Sequence, residues 1–86
     1  MTHEHFAPAL GERFDLADGT TLTLAKIETS ATGSARPFAL VFHGDAATLL
    51  PQQIHALANA TLGELEIFLV PVAQAGERVV YEAVFN

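Results

Sequence analysis

The chain has 86 residues, half of them hydrophobic, which is enough for one domain with a core and too few for two. It contains no cysteine, so disulfide bonds and zinc sites built on thiolates are excluded. Ten acidic residues against four basic ones give a formal net charge of -6, which opposes binding to a phosphate backbone. We therefore expect no nucleic-acid partner.

The N-terminal segment, residues 1–9, lacks the basic region and apolar run of a signal peptide. No apolar stretch elsewhere approaches the ~20 residues that a membrane helix needs, so no membrane insertion is expected. The sequence thus predicts a single domain over residues 1–86, with a flexible N-terminus at residues 1–9. Its default location is the cytoplasm.

The first two apolar runs predict a β-hairpin. Residues 12–17 and 20–29 alternate apolar and polar side chains on either side of Asp18 and Gly19. An Asp-Gly pair favours a two-residue hairpin turn because glycine accepts a positive φ. Ile27 falls out of phase with the leucines before it, which predicts a β-bulge or a change of buried face.

Three further apolar runs also predict strands. Residues 30–36 (SATGSAR) are small and polar and form a predicted loop, after which residues 38–44 are apolar on both faces, as in a central strand. Residues 64–72 and 78–85 are similar in length and separated by five residues, which predicts an antiparallel hairpin. Pro71 cannot donate a ladder hydrogen bond, so its strand is expected to be an edge strand or to be bulged there.

Residues 46–60 allow two interpretations. Leu50 and Leu57 fit helical spacing, which predicts one short helix around residues 50–58. In the other interpretation, residues 53–59 form a strand. With either one, the pattern predicts an all-β fold, a small antiparallel roll, barrel or sandwich of five to six strands.

Several fragments of the chain together resemble a known family. They are GERFDL around Phe14, PFALVFHG, the stretch at residues 53–57, Leu62-Gly63 and the C-terminal FLVPV…YEAVFN hairpin. They are similar to an uncharacterised family of small bacterial β domains, a domain of unknown function, over residues 6–86. The resemblance implies a compact, mainly β domain with no assigned activity or catalytic residues. It also implies a strand at residues 53–59 and an accessory role beside phage-tail-collar-like proteins.

Histidines provide two candidate sites. His3 and His5 could ligate a metal ion, but a site needs three or four ligands on a rigid frame, and nothing nearby supplies them. His43 and Asp45 could form a catalytic pair, but no nucleophile stands in a recognisable elbow. We therefore predict no catalytic, cofactor-binding or metal-binding residues, and no cofactor.

Glu64, Glu66 and Glu82 form an acidic set on the predicted C-terminal hairpin. Paired carboxylates can hydrolyse glycosides, but that chemistry needs a sugar-binding cleft, and the chain has no tryptophan to stack on a sugar. A solvated strand face, whose charges discourage aggregation, is therefore the expected role of these glutamates.

The predicted strand at residues 64–72 is apolar on both faces, because Phe68 and Val70 lie opposite its other large apolar side chains. A domain of this size has little material to cover two apolar faces, so one of them is expected to form a protein interface. A sheet edge near residues 71–80 is a second expected contact, through strand addition. The candidate interface residues are Phe68, Val70, Pro71, Val80 and Tyr81.

The sequence therefore predicts a non-enzymatic protein–protein interaction or assembly module, an accessory of a bacterial phage-tail-like or surface assembly. Its partner is expected to be another protein or a second copy of the chain. A small barrel that binds an apolar ligand and a small enzyme or enzyme subunit are the two alternatives. An internal apolar cavity would favour the first, and polar side chains with perturbed ionisation in a cleft would favour the second.

Overall fold

The protein is an all-β barrel built from one antiparallel sheet. The computed structural model describes residues 3–29 and 38–85, so the loop predicted at residues 30–36 lies outside the described residues. The strands are β1 (Arg13–Leu16), β2 (Thr21–Thr29), β3 (Phe38–Asp45), β4 (Gln53–Asn59), β5 (Gly63–Ala75) and β6 (Arg78–Phe85). They are preceded by a helix, α1 (His3–Phe6), and a 3-10 turn (Ala7–Ala9). No helix within the described ranges is long and apolar enough to cross a membrane.

The order of strands around the barrel is β1-β2-β3-β6-β5-β4, and β4 returns to pair with β1. All six neighbouring pairs are antiparallel. The predicted antiparallel roll or barrel of five to six strands is therefore confirmed. β5 and β6 form the predicted C-terminal hairpin, which turns at Gly76.

The ambiguous central segment is strand β4, so the alternative of a helix around residues 50–58 is wrong. β4 pairs with β5 along its whole length, ending with Asn59 opposite Gly63. Alanine, leucine and glutamine favour a helix locally, but this preference is weak against a full ladder of backbone hydrogen bonds.

Two bulges interrupt the ladders. The register of β2 with β3 shifts between Leu24 and Lys26, which confirms the irregularity predicted from the phase of Ile27. The register of β5 with β6 shifts between Pro71 and Ala73. Pro71 therefore lies at a bulge, and because the ladder with β4 ends at Leu69 it also lies at a sheet edge on that side.

The β1–β2 hairpin closes through a longer turn than predicted. Gly19 has a φ of +92°, which agrees with the role expected for the Asp-Gly pair. The N–H of Leu16, however, donates to the carbonyl of Thr20 at 2.8 Å, so three residues and not two lie inside the turn. Asp18 Oδ1 accepts a hydrogen bond from the Thr20 N–H at 2.8 Å and stabilises this longer form.

The inward faces of the strands fill the barrel. Phe14 and Phe42 pack edge to face with 5.2 Å between ring centroids. The other large, fully buried side chains of the strands are Leu22, Leu24, Leu40, Leu57, Leu69, Val79 and Tyr81. Because alternate residues of a strand point to opposite faces, the side chains between these inward positions form the outer surface.

The short N-terminal segment closes one end of the barrel. Phe6 and Ala9 are fully buried, and the Phe6 ring centroid lies 6.0 Å from that of Phe38 and 5.4 Å from that of Phe85. Burial of these apolar side chains anchors residues 6–9 to the core. This part of the segment therefore differs from the flexible N-terminus expected at residues 1–9.

The loop between β3 and β4 closes the opposite end. Leu50 is buried, and its N–H donates to the Tyr81 hydroxyl at 3.0 Å. The same hydroxyl donates to the Thr48 carbonyl at 3.5 Å. The N–H of Ala46 donates to the Glu77 carbonyl at 2.8 Å and ties this loop to the β5–β6 turn.

Replacing Tyr81 by phenylalanine is expected to lower the free energy of unfolding by about 1–2 kcal/mol. The ring keeps its packing, but the buried N–H of Leu50 loses its acceptor. Urea unfolding followed by circular dichroism measures the change. Thr48→Ala is the control, because the hydroxyl contacts only the Thr48 backbone carbonyl. Equal stability of Tyr81→Phe and the parent chain would contradict this role.

Candidate functional site

Strand β5 is apolar on both faces, as its sequence predicts. Ile67 and Leu69 point into the barrel and are buried. Phe68 lies on the outside and is 49% exposed, with the partly buried Val70 beside it on the same face. About half of a large aromatic side chain therefore faces solvent on the outer wall of the barrel.

Phe68 belongs to a line of apolar side chains that crosses four strands. It lies opposite Ile54 of β4, and Val84 of β6 lies opposite Ala39 of β3. The ladder of β5 with β6 ends at Val70 opposite Glu82, and continuing its register by two residues brings Phe68 level with Val84. We call Ile54, Phe68, Val84 and Ala39 the apolar row.

The apolar row is largely open to solvent in the described part of the chain. Ile54 is 63% exposed and Val84 is 58% exposed, which exceeds the exposure of Phe68 between them. Single exposed apolar residues are normal on protein surfaces, whereas contiguous ones mark sites of interaction. The apolar row is therefore a candidate binding surface.

Glutamates flank the apolar row. Glu66 lies two residues before Phe68 on β5, and Glu82 lies two residues before Val84 on β6. The two ion pairs found among the described residues lie on β1 and β2 and do not involve these glutamates. The row is thus apolar at its centre and negatively charged at its rim.

The structure distributes the five predicted interface residues over both faces of the sheet. Phe68, Val70 and Val80 have exposed or partly exposed side chains on the outside. Tyr81 is fully buried and lies opposite Pro71. The prediction of Tyr81 as an interface residue is wrong, because its ring fills the core and its hydroxyl binds the loop before β4.

The sheet edge predicted near residues 71–80 is present in part. Residues 70–75 of β5 pair with β6 but have no described partner on the side of β4, whereas residues 78–82 of β6 pair with both β3 and β5. A second free edge occurs on β4. β4 pairs with β5 along all seven of its residues, but with β1 only at Leu57 and Ala58. Residues 53–56 therefore have no strand neighbour on one side, and we call them the open edge of β4.

A shallow groove of about 260 Å³ lies between the open edge of β4 and the β1–β2 turn. Its lining residues are Leu16, Ala17, Asp18, Gln53, Ile54, His55 and Ala56. Hydrogen bonds from the side chain and then the backbone of Thr20 lower the pKa of Asp18 below its usual value. The rim of this groove is therefore negatively charged at neutral pH.

The two histidine sites considered from the sequence lie outside the apolar row and the groove beside β4. His43 and Asp45 line a separate polar surface groove of about 510 Å³ on β3. Asp45 Oδ1 accepts a hydrogen bond from the Ala47 N–H at 2.8 Å, and no described hydrogen bond joins Asp45 to His43. Among the side chains that the structure describes, no group of three or more His, Asp or Glu could hold a metal ion. The side chain of His3 lies outside them, so the expectation that His3 and His5 bind no metal ion stays a prediction.

Ile54 and Val84 were not predicted as parts of the site. Both faces of β6 carry valine, Val79 inward and Val80 and Val84 outward, so the presence of valine does not identify the outer face. The register of the β5–β6 hairpin was the available signal, because assigning Phe68 to the outside places Val84 beside it.

One comparison with known proteins identifies a family. A family model described as a domain of unknown function (DUF6916) matches residues 1–85, which include all six strands. Neither the curated proteins nor the solved structures contain a match to the chain.

Proposed function

Because the chain belongs to the family DUF6916, a domain of unknown function, we propose its role from its geometry. The proposed role is that of a non-enzymatic module that binds another protein through the apolar row. The exposed strip from Ile54 through Phe68 to Val84 is the observation that supports it. A folded domain rarely keeps such a strip uncovered unless a partner covers it.

The filled interior favours this role over the alternative of an apolar ligand in the barrel. Every strand directs at least one large, fully buried side chain into the interior. Phe6 closes one end of the barrel and Leu50 closes the other. The apolar side chains that remain available for binding are on the outer wall.

The charge around the apolar row favours a separate protein over a second copy of the chain. Glu66 and Glu82 border the row, and each copy carries a net charge of -6. Two copies facing each other through this surface would bring like charges together, which destabilises an interface. The partner we propose therefore presents apolar side chains surrounded by lysine or arginine.

Phe68→Asp is expected to abolish partner binding, because it places a charge at the centre of the apolar row. The test uses the full chain as bait in affinity capture from its source cells, beside the parent chain and Leu49→Asp. Leu49 is 61% exposed and lies in the β3–β4 loop, so the control adds the same charge at a similar exposure.

A protein retained by the parent and Leu49→Asp baits, and lost with Phe68→Asp, supports the proposal. Equal recovery with all three baits contradicts it. Sedimentation equilibrium of the parent chain tests the alternative that a second copy of the chain binds the apolar row. Dimers that form with rising concentration and are abolished by Phe68→Asp would assign the row to self-association. The accessory role in a bacterial phage-tail-like or surface assembly stays a prediction that the identity of the partner decides.

A further inference from the structure

We infer that the open edge of β4 binds an extended, positively charged segment of the partner, which adds to the sheet as a further strand. This inference rests on the proposed function and specifies how the partner is recognised. Its basis is the unequal length of the ladders on the two sides of β4.

The backbone of β4 carries unused hydrogen-bonding capacity. Each residue of an antiparallel strand directs its N–H and its C=O to the same edge of the strand, and successive residues use opposite edges. Two of the four residues in the open edge therefore direct these groups away from β5. The ladder with β1 begins only at Leu57, and no backbone hydrogen bond described outside the sheet uses the groups of Ile54. An extended polypeptide is the ligand whose chemistry matches such an edge.

The groove beside the open edge is accessible to such a segment. Ala17, Asp18, Ile54 and Ala56 on its two sides are all exposed. The open stretch of four residues, Gln53 to Ala56, fits a ligand segment of similar length. β1 ends at Leu16, so no strand of the described chain occupies this position.

Charge determines which segment fits. Asp18 lines the groove, and Glu64 lines the adjoining groove along the seam between β1 and β4. The strand β4 itself contains no lysine or arginine, so the β4 edge of a second copy would leave these carboxylates without a partner. A segment in which lysine or arginine alternates with apolar residues would neutralise them.

The open edge also begins the apolar row. Ile54 is both an edge residue and the first member of the row, next to Phe68 on β5. A strand added along β4 would place its own outward apolar side chain beside Ile54. The apolar row would then continue onto the partner. The partner would bind through backbone hydrogen bonds to β4 and through apolar contacts with the row at the same time.

The test uses an eight-residue peptide of alternating lysine and valine, blocked at both ends, and the full chain. Hydrogen exchange followed by NMR should show unprotected amides among Gln53–Ala56 in the free chain and their protection on binding. Two further peptides carry N-methyl groups on either all valines or all lysines. Since alternate residues use opposite edges, one of them should bind about tenfold more weakly and the other nearly as well as the parent peptide.

Charge provides a second readout. A peptide of alternating glutamate and valine should bind at least about tenfold more weakly than the lysine peptide, and Asp18→Asn should weaken binding of the lysine peptide severalfold. Asp18→Asn keeps the side-chain oxygen that accepts from Thr20, so the turn is preserved. Leu49→Asp serves again as the surface control, because it lies outside this groove.

Full protection of the Gln53–Ala56 amides in the dilute free chain would overturn the inference. Equal binding of both N-methylated peptides, or no binding of the parent peptide, would do the same. Protection that grows with protein concentration would assign the edge to a second copy instead. If these results fail while Phe68→Asp still loses its partner, strand addition is wrong and the proposed function stands.

Discussion

Replacing Asn59 by aspartate is expected to lower the free energy of unfolding by about 3 kcal/mol. Asn59 is 5% exposed, and its Nδ2 donates to Glu12 Oε1 at 3.2 Å and to the Arg13 carbonyl at 3.0 Å. Its Oδ1 accepts from the N–H groups of Thr61 and Leu62 at 2.9 and 2.8 Å. Aspartate keeps the two accepted bonds, loses both donated bonds and places a carboxylate against Glu12.

The loss of unfolding free energy caused by Asn59→Asp should depend on pH. Burial and the nearby Glu12 carboxylate disfavour the ionised form of the introduced carboxyl group, so its pKa rises on folding. A raised pKa means that the folded state binds the proton more tightly, so the loss of stability shrinks as pH falls below that pKa. Urea unfolding of the variant and the parent chain between pH 4 and 8, spanning roughly the region above the usual aspartate pKa, measures the difference.

Glu12→Gln provides the matched control for this network. The amide oxygen of glutamine can still accept the hydrogen bonds from Asn59 and from Thr61 Oγ1, which lies 2.7 Å from Glu12 Oε1. The single variant should therefore change stability little. Combined with Asn59→Asp it should recover part of the deficit, because the glutamine amide can donate to the new carboxylate. Strict additivity of the two changes would contradict direct coupling through these side chains.

Replacing Gly44 by valine is expected to lower the free energy of unfolding by about 3 kcal/mol. Gly44 lies on the inward side of β3, and a Cβ there would approach Leu22 Cδ2 to 2.7 Å and Tyr81 Cε2 to 3.1 Å. Leu22 and Tyr81 are both buried and have little freedom to move. Thermal or urea unfolding measures the loss.

Leu22→Ala tests whether crowding causes this loss. Alone, it should cost about 2–5 kcal/mol, because it leaves a cavity in the core. It removes three carbon atoms beside the position where Gly44→Val adds three. The double variant should therefore lose clearly less stability than the sum of the two single variants. A loss equal to the sum would mean that the new side chain at residue 44 destabilises the fold without contacting residue 22.

The strand pattern could be predicted from the sequence, but the burial of β4 could not. His55 and Asn59 are polar and point into the structure, whereas Ile54 points out. His55 Nε2 donates to the Pro51 carbonyl at 2.8 Å, and Asn59 binds the backbone of Arg13, 46 residues earlier. Satisfied hydrogen bonds allow polar side chains to be buried, and a partner so far along the chain leaves no local signal.

The residues of the candidate site could be predicted only where the pattern of a single strand was enough to assign a side chain to the outside. The two apolar faces of β5 identified Phe68 and Val70 as outward candidates. The edge near residues 71–80 was predicted in part, since residues 70–75 of β5 extend beyond β4. The open edge of β4 was not predicted, because it depends on which strands meet last when the ring closes. Here those strands are β1 and β4, and the four residues of β1 are too few to cover the seven of β4.

The contact between Phe6 and Phe85 has a consequence for how this domain can be connected to other polypeptides. Their ring centroids are 5.4 Å apart, so the two extremities of the described polypeptide leave the barrel at one pole, opposite the Gly76 turn. A domain with this geometry can be inserted into a surface loop of a host protein without separating the host's flanking segments. Circular permutants that join these extremities and open at Gly76 would keep every strand in place.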